Sequence, residues 1–256
     1  MPQIRTKYYG AEVKGYDCTN SAAVETWRVY YADSTNIYLI AGDYIPYSYI
    51  PAAAGGISLI QGLYSRTAHI YGLELTYDGF NGVTNETIRD LNSDYLNEGY
   101  NYSSNNTDLV AYMCDDNAWS GYAGSKAEYA IGGPSLELLI KSYNQKYDAN
   151  YQVEAIAKMG YQVSVDNGTN WSAEQTGIFN TEDNLYVIKS TSDAYGYWIA
   201  SPAAKHEYYG GIFGVSYAGD LSFLGSGWDD QGFRPVVCLK PEVLLQMQDN
   251  GTFIIK

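Results

Sequence analysis

Residues 195–240 read YGYWIASPAAKHEYYGGIFGVSYAGDLSFLGSGWDDQGFRPVVCLK, and this stretch decides the fold. Its two ends are apolar and low in variety: YWIASP at 197–202 and GFRPVVCL at 232–239. Between them Tyr, Gly, Ser, Asp, Phe and Trp follow one another with no steady strand or helix period. A disordered polar loop would not carry Tyr208, Tyr209, Tyr217, Phe223 and Trp228, because exposed rings need something to pack on. A surface of the paratope kind would, since aromatic rings give large contact area for little lost rotamer freedom and Ser, Gly and Asp adapt around them. The pattern predicts a rigid frame holding an adaptable, loop-rich contact segment.

Working outward, 256 residues are enough to bury a core without disulfides or metal. The outlying feature is 28 Tyr against 6 Phe. Most of the rings therefore carry a hydroxyl that wants water or a partner. Half-buried strand tyrosines account for the majority, and the remainder cluster in 195–240. The net charge of -14, from 15 basic and 29 acidic residues, disfavours phosphate backbones and anionic membrane surfaces, so nucleic acid is not an expected ligand. Cys18, Cys114 and Cys238 are odd in number and far apart, which fits neither a disulfide framework nor a zinc site. With His69 and His206 as the only histidines, no metal and no cofactor is expected, and the thiols read as buried and free. The opening MPQIRTKYYGAEVKGY lacks an apolar core of signal-peptide length, and no apolar run approaches a membrane span. The expectation is a chain made in the cytoplasm without a cleaved signal and without membrane insertion, open to incorporation in a virion or display at a surface.

In order along the chain, residues 8–16 predict a first strand. Residues 27–32 and 37–43, joined by Asp33-Ser34-Thr35-Asn36, predict a hairpin. The Pro- and Gly-rich 46–62 predicts an irregular connection, and 70–77 a short strand. From Thr84, Ile88, Leu91 and Tyr95 fall at helical spacing up to Gly99, and Thr107 caps a second helix through Cys114. Trp119 and Tyr122 follow in a predicted loop. Gly133-Pro134 opens the clearest helix, with Leu136, Leu139, Ile140, Tyr143 and Tyr147 on one face and Glu137, Lys141, Asn144 and Gln145 on the other. Strands are predicted at 161–165, 185–189, 233–239 and 251–256. Strands, then helices, then strands make an α+β protein rather than a parallel series.

At these framing segments the chain resembles C-type lectin-like domains of the formylglycine-generating-enzyme type. The resemblance rests on Trp198-Ile199-Ala200-Ser201-Pro202, a Gly-rich middle, and Gly232-Phe233-Arg234-Pro235-Val236-Val237. More narrowly, 27–43, 111–119, 129–144 (YAIGGPSLELLIKSYN) and the C-terminal frame look, in order, like variable proteins of diversity-generating retroelements in gut Firmicutes and their phages. There a reverse transcriptase rewrites adenines and so turns Asn codons into Tyr, Ser, Asp, Gly, His or Phe. The resemblance implies a C-type lectin-like fold of antiparallel sheets with two to three helices and a long, loop-rich C-terminal ligand surface. Residues 1–80 would form a β-rich segment continuous with a lectin-like domain at 81–256, whose variable region spans about 195–235.

Carried over position by position, the resemblance implies ligand contacts at Tyr197, His206, Tyr208, Tyr209, Ser216, Tyr217, Asp220, Ser222, Phe223, Trp228, Asp229 and Asp230, with Gly214 and Ala218 also open to replacement. Ile212, Val215, Gly219, Leu221 and Phe233 would be interleaved scaffold. The enzyme of this type needs a copper-binding cysteine pair, and here Cys238 has no partner nearby, so no catalysis is expected. A calcium-dependent lectin would need a Pro loop ahead of a Trp-Asn-Asp run. Trp228-Asp229-Asp230 echoes the run, but no such loop precedes it, and calcium wants roughly six or more oxygens. Asp115-Asp116 reads as an acidic turn, His69 as structural, Trp27 and Trp198 as core, and Arg234 as an anchor on buried carbonyls or a carboxylate. The expected role is contact with a macromolecular ligand, a protein or a cell-surface glycan. The alternatives are a virion or surface-fibre subunit that forms a homo-oligomer through the Tyr-rich loop, or a calcium-dependent lectin.

Overall fold

The computed structural model describes residues 6–45, 113–151, 174–175, 177–189, 194–203, 211–225 and 231–256. The protein is α+β, mostly sheet, and the described residues contain two complete helices, α1 (Ser120–Ala123) and α2 (Leu136–Tyr147). One sheet comprises β1 (Glu12–Lys14), β2 (Trp27–Ala32), β3 (Ile37–Ala41), β4 (Ala127–Ile131), β10 (Val236–Leu239), β11 (Leu245–Met247) and β12 (Phe253–Ile255), in the order β11-β12-β1-β2-β3-β10-β4. The other comprises β5 (Glu174–Gln175), β6 (Gly196–Ala203), β7 (Gly211–Ser216), β8 (Leu221–Gly225) and β9 (Gln231–Gly232), in the order β5-β8-β7-β6-β9. Pairing is antiparallel except between β1 and β12 and between β6 and β9. Strands from the start and the end of the chain thus share one sheet, while between the two apolar frames β7, β8 and β9 all belong to the second sheet and the chain crosses to the first only at β10.

The β2–β3 hairpin forms where the sequence predicts it. Asp33 makes the turn, its carboxylate accepting from the N–H groups of Thr35 and Asn36 at 2.8 Å each, while its own N–H donates to the Asn36 carbonyl at 3.0 Å. The strand predicted over 8–16 is shorter: a 3-10 turn, Thr6–Tyr8, precedes the three-residue β1. Gly10 at φ 96° and Gly15 at φ 73° bracket it, and that left-handed backbone cannot continue a strand.

Helix α2 follows its periodicity, burying Leu136, Leu139, Ile140 and Tyr143. Ser135 caps it by accepting from the Leu138 N–H at 3.1 Å, and the Leu136 N–H donates to Ser201 Oγ on β6 at 2.8 Å, tying the helix start to the second sheet. Tyr147, expected on the inner face, is 38% exposed, and Ser142, which no apolar pattern marks, is buried. Ser142 Oγ donates to the Tyr30 carbonyl at 2.6 Å and lies 2.7 Å from the Tyr186 hydroxyl, so its polar group is satisfied inside.

Two sequence readings are corrected here. Residues 185–189 are not a strand. Leu185, Tyr186, Val187 and Ile188 are all buried in turn and irregular backbone, because side chains take up their carbonyls: Arg234 on Leu185, Tyr197 on Tyr186 and Tyr44 on Ile188. Tyr122 is not a loop residue but lies within α1, and both it and Trp119, in the turn that leads directly into α1, are fully buried. The Trp119 ring lies 5.6 Å from Phe233 and covers Gly132, where a Cβ would collide with the indole. Gly132→Ala is therefore expected to destabilise the protein by about 1–3 kcal/mol, read as a lowered midpoint in thermal or urea unfolding.

Trp27 and Trp198 lie in the core as predicted, Cys18 and Cys238 are buried, Cys114 is half-buried, and none of the three forms a disulfide. Met113 and Cys114 are helical, and Asp115-Asp116 follow them in the turn that leads to α1. The helix predicted over 84–99, most of the one from Thr107, the strands at 70–77 and 161–165, His69 and the 80/81 boundary lie outside the described residues.

Candidate ligand surface

The second sheet positions the site. β7 and β8 pair from Gly211↔Gly225 to Val215↔Leu221, so the middle of the framed stretch contains a regular hairpin where the sequence shows no period. Gly211, Gly214, Ser216, Ser222 and Gly225 hide the alternation, since none supplies an apolar side chain to mark a face.

The turn joining the strands holds itself together. Ser216 Oγ accepts from the Ala218 N–H at 3.1 Å and the Asp220 N–H at 3.2 Å, and the Ser216 N–H donates to the Asp220 carbonyl at 2.9 Å. Gly219 sits at φ +81°, and a Cβ there would run into the Phe179 carbonyl oxygen. The tip is docked on the segment before it: the Phe179 N–H donates to the Gly219 carbonyl at 2.9 Å and the Gly177 N–H to Asp220 Oδ1 at 2.8 Å. That segment is fastened to α2, because Asp183 pairs with Lys146 at 2.7 Å and accepts from the Tyr147 hydroxyl at 2.7 Å. Gly219→Ala is expected to cost about 2 kcal/mol or more through left-handed strain and lost docking. It should show as a lowered unfolding midpoint with faster proteolysis at 216–220.

Burial divides this stretch residue by residue. Phe213, Val215 and Leu221 are buried, as is Phe233, and Gly219 has no open face. Tyr217 is 50% exposed, Ala218 is exposed, and Ser216 and Asp220 are half-buried. Of the residues expected at the ligand surface, the structure brings Ser216, Tyr217 and Asp220 together at one turn. The polar groups of Ser216 and Asp220 are, however, largely spent on building that turn, Ser216 Oγ also donating to Asp220 Oδ2 at 3.2 Å.

Tyr197 requires a correction. It is fully buried, its hydroxyl donating to the Tyr186 carbonyl at 2.8 Å and its ring lying 5.2 Å under the Arg234 guanidinium. Burial pushes its hydroxyl up to about 12, the Arg234 charge pulling the other way, so it is a neutral donor inside the protein and not a ligand contact. In the β7–β8 ladder Phe223 pairs with Phe213. Ser222 pairs with Gly214 in the same ladder. His206, Tyr208, Tyr209, Trp228, Asp229 and Asp230 lie outside the described residues.

The sequence reading missed Tyr195. It is 54% exposed, its ring centroid is 6.2 Å from that of Tyr217 at an interplanar angle of 45°, and the Tyr217 N–H donates to its carbonyl at 2.8 Å. Alternation gives no signal for it, because Tyr195 shares parity with buried Tyr197 but precedes the first residue of β6. Its place next to the frame was the available cue.

Arg234 fixes the base of this surface. Fully buried, it donates from Nε to the Ala41 carbonyl at 2.9 Å, and from its two terminal nitrogens to the carbonyls of Leu185 at 2.6 Å and Asn184 at 2.9 Å. With Tyr197 beneath it, one side chain joins β3, the 184–185 turn and β6. Of the two roles the sequence leaves open, the structure chooses carbonyls.

A separate cleft of about 480 Å³ lies among Ala22 to Thr26, Arg28, Gly42, Asp43, Tyr44 and Asn184. Arg28 donates from a terminal nitrogen to the Gly10 carbonyl at 2.9 Å there, and Glu25 and Asp43 give the lining mixed charge. Among the described residues no three or more His, Cys, Asp or Glu side chains gather as a metal site would require, and no helix is long and apolar enough to cross a membrane. Compared with known protein families, curated proteins and solved structures, the chain matches none.

Proposed function

We propose that this chain is a non-catalytic binding protein of C-type lectin-like fold, akin to the variable proteins of diversity-generating retroelements, whose ligand surface is the β7–β8 tip and the loops around it. The observation that carries the reading is the division within 213–221. Phe213, Val215 and Leu221 turn inward, and Tyr217 and Ala218 turn outward on a backbone pinned by Gly219 and its neighbours. Such a tip accepts new outward side chains without touching the core, which a diversified contact surface demands. Binding energy in such surfaces concentrates in a few rings, and Tyr217 with Tyr195 supplies two. The α+β sheets, the fixed frame and Arg234 beneath it supply the rigid support.

Sequencing the DNA beside the gene tests the diversification. The expected result is a near-identical repeat of the 195–239 coding segment, differing only at adenines, next to a reverse transcriptase gene. Its absence from the complete source genome would remove the retroelement part of the reading. Light scattering tests the binding part: a stable trimer that hides Tyr195 and Tyr217 would assign the surface to self-assembly instead.

A further inference from the structure

We propose that the Tyr195–Tyr217 ring pair receives a cationic group, the lysine or arginine side chain of a basic protein segment on the partner. The inference rests on the binding reading above and names the chemistry of the ligand. The two rings are half-open, 6.2 Å apart and tilted by 45°, so they present faces to solvent from adjoining backbone held by the Tyr217 N–H on the Tyr195 carbonyl. The face of an aromatic ring carries negative potential and attracts a cation placed over it.

The charge around the pair has the same sign. Asp220 stands three residues along the same turn, its carboxylate held in place by the Gly177 N–H and the Ser216 hydroxyl. The whole chain carries a net charge of -14. Lys146, which reaches the docked segment, is taken by Asp183. A basic partner would be steered in by this field and meet ring faces on arrival, whereas an acidic one would be repelled. A neutral sugar could stack on the same rings but would gain nothing from the charge.

The test uses the full chain and a labelled short oligolysine peptide, with affinity read by fluorescence anisotropy at about 0.15 M salt. The Tyr195→Ser/Tyr217→Ser double variant leaves the net charge unchanged and is expected to bind about tenfold more weakly. Tyr195→Phe/Tyr217→Phe, which keeps the ring faces and removes the hydroxyls, is expected to bind like the parent. Equal affinity of parent and serine variant would mean that net charge alone binds the peptide, and would overturn the proposal. So would an absence of binding, or a neutral oligosaccharide whose affinity falls in both variants while that of the peptide does not change. The last result would leave the binding reading standing and replace the basic partner with a glycan.

Discussion

Replacing Arg234 with methionine is expected to cost about 4 kcal/mol of stability, lowering the thermal midpoint by roughly 8–16 °C or leaving the chain insoluble. The size follows from what the side chain leaves behind. Methionine fills much of the volume but donates nothing, so the carbonyls of Ala41, Asn184 and Leu185 each lose a donor in a dry interior. An orphaned buried acceptor costs about 1–3 kcal/mol, and removing the buried charge returns only part of that. Arg234→Lys is expected to be nearly as damaging, because one ammonium cannot reproduce a fork that reaches three acceptors on two elements. A midpoint within a few degrees of the parent for either variant would mean that Arg234 does not hold the frame together.

The second large effect is expected at Tyr197. Tyr197→Ala should cost about 3–5 kcal/mol, as removal of a large buried ring does, and the loss includes the hydroxyl bond to Tyr186 and the ring beneath Arg234. Because the two side chains touch, the Arg234→Met and Tyr197→Ala penalties should not add. A double-mutant cycle is expected to show a coupling of about 1 kcal/mol or more. If Tyr197→Ala instead unfolded like the parent, the residue would belong to the exposed surface where the sequence reading put it.

What was legible in the sequence was mostly local. Helix α2 announces itself by the spacing of Leu136, Leu139, Ile140 and Tyr143, and the β2–β3 hairpin by Asp33 and its turn neighbours, because each is settled within a few residues. Arg234 as an anchor followed from a charge embedded in an apolar run. The misread pieces are decided by groups far apart in the chain. Residues 185–189 look like a strand by composition, yet Tyr44, Tyr197 and Arg234 claim their carbonyls from positions no local pattern connects. Ser142 is buried because Tyr30 and Tyr186 meet it. The framed stretch is the most instructive case. Its glycines and serines conceal a hairpin, and an aromatic count there cannot separate an inner tyrosine such as Tyr197 from outer ones such as Tyr195 and Tyr217. Exposure depends on strand register, and register is a tertiary property.

The central claim is that Tyr217, with Tyr208, Tyr209 and Trp228 proposed beside it, serves contact and not folding. Thermal unfolding of one variant in which Tyr208, Tyr209, Tyr217 and Trp228 are all replaced by Ser tests it most directly. Rings that serve contact contribute little to the folded state, so on this account the midpoint is expected to stay within about 5 °C of the parent with the transition still cooperative. A loss of cooperative unfolding, or a fall as large as that expected for Tyr197→Ala, would show that these rings hold the fold and would contradict the account.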